Sequence, residues 1–183
     1  LHLKLNRIFN LPEVALDPSR PRTINVLVPV FDFRSVSAGF FGVFQTALFA
    51  KRLGYHVRLV LFDNFYFNAE EFRRNFLAYP GLETLLDELE VQYIGDRKAP
   101  LLVSPHDQSI ATVWYSAYFA DKISKLCGSQ PFLYLIQDYE SQFYPGSSLF
   151  ALSDRSYRLN FSALFSSESL KNYFVGGDIG GVA

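Results

Sequence analysis

The sequence predicts an α/β, Rossmann-like fold built on a mostly parallel sheet with helices on both faces. Three observations predict it. Short continuous apolar runs recur along the chain, as in strands buried on both faces of a parallel sheet. Between them lie segments with apolar residues at helical spacing, which makes βαβ units. At 183 residues the chain is long enough for one domain with a proper core.

The elements follow in order. Residues 1–22 read as an N-terminal arm, broken by Pro12, Pro18 and Pro21. Thr23 to Val30 is the first buried strand. A loop from Phe31 leads to a helix over about Gly39 to Leu53, with Phe41, Phe44, Ala47 and Leu48 as its apolar stripe. Lys51 and Arg52 suit its last turn and Gly54 its end. Val57 to Phe62 is the second strand. Asn68, with Glu71 three residues on, starts a helix reaching about Tyr79. Pro80-Gly81 interrupts it, and Leu82, Leu85, Leu86 and Leu89 resume a helical period. Val91 to Ile94 is a short strand and Gly95 to Pro100 a turn.

Ile110 to Trp114 is the next expected strand. Ser116 then caps a helix carrying Phe119, Ile123 and Leu126. Phe132 to Ile136 is a strand, 148–158 a helix capped by Ser147 or Ser148, Ser162 to Ser166 a strand, and Ser169 to Phe174 a short helix. The folded domain is thus expected over 23–175. The Gly-rich end, 176–183, reads as a linker.

Composition narrows the function. Apolar residues make up 49% and charged residues 19%, the balance of a folded chain. A net charge of −1 argues against a general nucleic-acid binder, which needs a basic surface. The aromatic share is high, with 19 Phe, 11 Tyr and 1 Trp. Such rings fill a core or cover an interface. The lone Cys127 excludes a disulfide framework and a cysteine-rich metal site. The absence of Met leads us to expect a piece of a longer protein. No run reaches the roughly 18 apolar residues of a membrane span. Leu1 to Asp17 lacks the features of a signal peptide. The expected location is the cytoplasm, with peripheral attachment at the inner face of the membrane left open.

Three constellations carry candidate chemistry. Ser37-Ala-Gly-Phe-Phe-Gly42 is one substitution from G-x-G-x-x-G, and Asp63 ends the second strand where a ribose-binding acid would sit. A domain binding NAD or S-adenosylmethionine is therefore an alternative. Six residues, Phe31 to Val36, separate strand from motif, a wide loop where that fingerprint needs a tight turn. Gly39 and Gly42 still bring backbone N–H groups to a helix start, which suits a phosphate. Close helix–sheet packing would explain them equally well.

The second constellation is the loop after the Phe132 strand. Gln137-Asp-Tyr-Glu-Ser-Gln-Phe-Tyr-Pro-Gly146 concentrates acids and rings where open α/β sheets bind ligands. Asp138 and Glu140 would share one side of an extended segment. One could serve as general base or hold a sugar hydroxyl. A helix cap, or a salt bridge to Arg155 or Arg158, is the structural alternative. Third, Trp114 with Tyr115 and Tyr118 could stack on sugar rings, although a core Trp is the commoner outcome. His106 and Asp107 read as a loop or cap pair. His2 and His56 lack neighbours at metal-ligand spacing. No Gly-x-Ser-x-Gly elbow or Walker A sequence is present.

A family resemblance joins these residues. Ile24-Asn-Val-Leu-Val-Pro29, Gly39-Phe-Phe-Gly42 and Arg52-Leu-Gly-Tyr-His-Val57 look like the start of a GT-B glycosyltransferase. Ala111-Thr-Val-Trp-Tyr-Ser-Ala-Tyr118 and Tyr134-Leu-Ile-Gln-Asp-Tyr-Glu140 with Phe143-Tyr-Pro145 are more specific. Together, over roughly 22–175, they resemble the N-terminal domain of the WsaF-like rhamnosyltransferases of glycosyltransferase family 4. The resemblance implies the N-terminal half of a GT-B enzyme, which receives an oligosaccharide or polysaccharide acceptor. A C-terminal domain of the same protein would bind the nucleotide sugar, dTDP-rhamnose, as a substrate. Such enzymes build bacterial surface polysaccharides and use neither a cofactor nor a bound metal. By that mapping Gly39 and Gly42 approach the donor phosphates. Trp114, Asp138, Tyr139, Glu140 and Tyr144 line the acceptor side, with Asp138 and Glu140 as the catalytic candidates. A non-catalytic glycan-binding module remains a further alternative.

Overall fold

The computed structural model describes residues 9–29, 36–63, 66–128, 130–180 and 182. The end of the first expected strand at Val30, most of the loop after it and the start of the N-terminal arm lie outside them. The chain divides into two compact units, residues 12–108 and residues 109–183 with 9–11. Both are α/β and Rossmann-like in character, and every strand pair within them is parallel.

The first unit holds β1 (Val14–Leu16), β2 (Ile24–Val28), α1 (Ala38–Arg52), β3 (Val57–Leu61), α2 (Ala69–Phe76), α3 (Leu85–Glu88), β4 (Glu90–Tyr93) and β5 (Leu101–Val103). Strands β2, β3 and β4 lie side by side with β3 in the middle, Ile24 opposite Val57 and Arg58 opposite Glu90. All of β3 is buried, its apolar residues as the sequence predicts and Arg58 along with them. Phe44 of α1 meets Phe76 of α2 edge-on with ring centres 5.0 Å apart, and Phe72 meets Phe76 at 4.3 Å. These enclosed rings support the core reading of the aromatic excess, each contributing about 1.5–3 kcal/mol of burial.

The N-terminal arm differs from expectation. Val14 to Leu16 pairs with β5, and the ladder continues through Leu101 N–H to Glu13 C=O and Asp17 N–H to Val103 C=O, both 2.8 Å. Three residues between prolines are too few to display a period. Helix α2 is also shorter than expected, ending at Phe76. Its start is as predicted, because the Asn68 side chain accepts from the Glu70 and Glu71 N–H groups at 3.1 Å. Of the run from Leu82 to Leu89 only Leu85–Glu88 is α-helical.

Arg58 is fully buried in mid-strand. Its guanidinium donates to Asn25 Oδ1 at 2.8 and 2.6 Å, to Gln92 Oε1 at 2.7 Å and to the Leu102 carbonyl at 3.0 Å. Asp107 lies 3.6 Å away, itself accepting from the Thr23 N–H and the Asn25 amide. One cation thus ties β2, β3, β4 and β5 together. Asp107 closes this clasp, in keeping with a loop or cap role.

The second unit holds β6 (Gln108–Ala111), α4 (Trp114–Leu126), β7 (Phe132–Ile136), a 3-10 turn (Glu140–Phe143), α5 (Ser148–Ser156), β8 (Phe161–Phe165) and α6 (Glu168–Gly176). Strand β7 lies between β6 and β8, with Leu133 opposite Ile110 and Phe132 opposite Phe161. Ser147 caps α5 by accepting from the Phe150 N–H, and Ser167 caps α6 by accepting from the Leu170 N–H. The expected strand through Trp114 is corrected: β6 ends at Ala111, and Trp114 begins a helix. Ser116 decides the switch. Its Oγ accepts from the Thr112 and Val113 N–H groups at 2.8 and 3.0 Å, satisfying amides that a strand ladder would otherwise take.

The Gly-rich end is ordered at its start. The Ile179 N–H returns to the Phe174 carbonyl. Gly180, at φ 70°, lies so close to Tyr157 that a Cβ there would sit 2.1 Å from the Tyr157 carbonyl oxygen. Among the described residues no helix is long and apolar enough to cross a membrane.

Candidate functional site

The acid-rich loop leaves the carboxyl end of β7, within the second unit. It is not extended. Tyr139 has φ −85° and ψ 80°, and Glu140 opens the 3-10 turn. Asp138 and Glu140 therefore do not point alike. Asp138 is exposed, and its Oδ1 accepts from the Tyr139 N–H at 2.8 Å. Glu140 is half-buried and turns to the first helical residue of α4, where its Oε1 accepts from the Trp114 N–H at 2.9 Å. A carboxylate at a helix N-terminus complements the helix dipole. Of the alternatives weighed for the pair, a helix cap is what Glu140 makes. Arg158 pairs with Asp154.

Tyr157 holds the loop from below. Its hydroxyl accepts from the Glu140 N–H at 3.1 Å and donates to the Asp138 carbonyl at 3.3 Å. The ring stacks on Tyr134 of β7, centres 5.6 Å apart and 8° from parallel. Burial pushes the hydroxyls of both tyrosines above their ordinary value. Tyr139 reaches across to Asp154, donating at 2.9 Å. Ser141 is fully buried against Ser153.

The Glu140 carboxyl is pushed up to about 8. Burial is the main cause; the Trp114 amide opposes it, and the charge on Asp138 adds to it. A carboxyl with this affinity exchanges its proton near neutrality, as a general base for a sugar hydroxyl must.

Trp114 is placed otherwise than the stacking idea requires. Its ring is 1% exposed, so no face is offered to a sugar. The indole N–H donates to the Tyr144 hydroxyl at 3.4 Å, and the two rings meet edge-on. Trp114 supports the loop from inside, while Tyr144 and Tyr139 are half-buried at its margin. The structure thus brings Trp114, Asp138, Tyr139, Glu140 and Tyr144 into one cluster. Tyr157 is the member that sequence reasoning missed, because it sits in a helix-like run with nothing to mark its hydroxyl as inward.

Gly39 and Gly42 belong to the first unit. Gly39 is the second residue of α1, whose N-cap is Ser37. A Cβ on Gly42 would meet nothing within 4 Å, so packing among the described residues does not demand glycine there. Asp63, beyond β3, favours the cation of Arg97. Among the described residues no group of His, Cys, Asp and Glu could hold a metal ion. A hollow of about 740 Å³ in the second unit, between β8 and α6, contains none of the expected site residues.

A family model described as the WsaF N-terminal domain matches residues 23–168. No curated protein matches the chain.

Proposed function

The chain belongs to the WsaF N-terminal domain family, a glycosyltransferase-related family, and from that premise we propose that it is the acceptor-side domain of a sugar-nucleotide glycosyltransferase. The acceptor is an oligosaccharide or polysaccharide of a bacterial surface polymer. The sugar transferred is rhamnose, delivered as dTDP-rhamnose by a C-terminal domain of the same protein. The enzyme works in the cytoplasm, at the inner face of the membrane where its polymer grows.

The observation that carries this reading is the Glu140 carboxyl. It stands at the carboxyl end of a parallel strand, beside the exposed Asp138, with its proton affinity raised to about 8. In the proposed step an acceptor hydroxyl gives its proton to the ionised Glu140 as its oxygen bonds to the sugar carbon. The nucleoside diphosphate leaves with the electrons of the broken bond. Asp138 holds a neighbouring hydroxyl, and Tyr157 keeps the loop in place.

The complete enzyme tests the assignment. Glu140→Gln should lower kcat by about 10²-fold or more, and Asp138→Asn should raise KM for the acceptor. Unchanged kinetics in both variants would remove the loop from the reaction. Calorimetric titration with dTDP-rhamnose tests the division of labour: binding by the complete protein but not by this chain is expected. Tight binding by this chain alone would reverse it.

A further inference from the structure

The 3-10 turn after β7 and helix α6 each expose an aromatic ring, and a hydrogen bond joins the two elements. Ser141 points inward, which turns its neighbours Gln142 and Phe143 outward. Phe143 is 59% exposed, and Tyr173 of α6 is 49% exposed. Gln142 connects the two, preceding Phe143 in the chain and donating its Nε2–H to the Tyr173 hydroxyl at 2.7 Å. The Tyr139 ring lies 6.0 Å from that of Tyr173, which ties the group to the loop.

The polar atoms of this surface are unspent. Among the described residues Gln142 Oε1 has no partner, nor has the second oxygen of Asp138, and the Tyr173 hydroxyl still has its proton to donate. The loop and α6 thus carry exposed aromatic rings together with an amide oxygen, a carboxylate oxygen and a hydroxyl. A lipid surface would favour continuous apolar area, and a phosphate would favour cations. A neutral pyranose offers what fits: an apolar C–H face for a ring and hydroxyls for the acceptors between.

We infer that Phe143, Gln142, Tyr173 and Asp138 form a stacking subsite for a pyranose ring of the acceptor glycan. The inference rests on the acceptor-side reading and names the ligand class of that surface. Phe143 and Tyr173 supply the faces, and Gln142 holds Tyr173 in place. Asp138 and the free amide oxygen take hydroxyl protons, so the subsite discriminates among sugars by hydroxyl orientation.

Saturation-transfer NMR and titration of this chain with trisaccharides of rhamnose, mannose, glucose and galactose test it. At least one trisaccharide should bind, with saturation reaching its C–H protons. Phe143→Ala should weaken that binding about tenfold, and Phe143→Tyr should retain it. The melting temperature should move little in either variant, since the ring is mostly solvent-exposed, and this excludes unfolding as the cause. A trisaccharide that binds equally well to Phe143→Ala overturns the subsite and leaves the acceptor-side reading standing. A wild-type chain that binds none of the four at millimolar concentration overturns both.

Discussion

At the scale of single residues, Glu140 carries the most consequence. Its carboxyl is raised from an ordinary 4.5 to about 8, chiefly by burial. Between those values the folded chain keeps a proton that the unfolded chain has released. Stability therefore falls as pH rises through that window, by up to ~1.4 kcal/mol per pH unit. Below about 4.5 this loss is absent. Glu140→Gln preserves an oxygen for the Trp114 amide and removes the titration. Urea unfolding at pH 5, 7 and 8.5 should show a declining midpoint for the native chain and a flatter series for the variant. Equal slopes would mean that the carboxyl is not held as described. The sequence marked Asp138 and Glu140 because two acids follow a buried apolar run. It could not tell them apart, because a 3-10 turn in place of extended backbone sends one to solvent and the other to a helix end. Trp114 was misplaced for a related reason. Ala-Thr-Val-Trp reads as a strand by propensity, and one hydroxyl three residues into the helix, that of Ser116, overrides it.

Among elements, the strands were the most legible, and β7 was recovered residue for residue as Phe132–Ile136. Runs of this kind have few readings other than a doubly covered strand. Elements of three or four residues, β1, β5 and α3, were lost or stretched, because the patterns need more length than they have. Arg58 passed as an ordinary member of β3, although it is the residue on which four strands converge. Arg58→Met should cost about 3–5 kcal/mol, because Asp107 is left buried without its cation. Adding Asp107→Asn should recover part of that loss. Urea unfolding of the single and double variants measures both. An Arg58→Met chain as stable as the native one would show that the network only fills space.

Over the whole molecule, composition foretold the core better than the site. Phe44, Phe72, Phe76, Phe119, Phe132 and Phe174 are all buried, so a large part of the aromatic signal reports packing. Among the rings that remain outside, which include Phe9, Phe49, Tyr55 and Tyr66, counting could not single out Phe143 and Tyr173. The chain also has a single tryptophan, and it is Trp114, enclosed by tyrosines and joined through its backbone N–H to Glu140. Tryptophan-selective emission from the intact chain therefore comes from one place. When Glu140 ionises, a full negative charge appears 2.9 Å from that amide, and the field shifts the colour or yield of the indole. A spectrum followed against pH should turn over near 8 and stay flat in Glu140→Gln. The molecule carries its own optical gauge of the loop, and a glycan that settles there would register on it without any label.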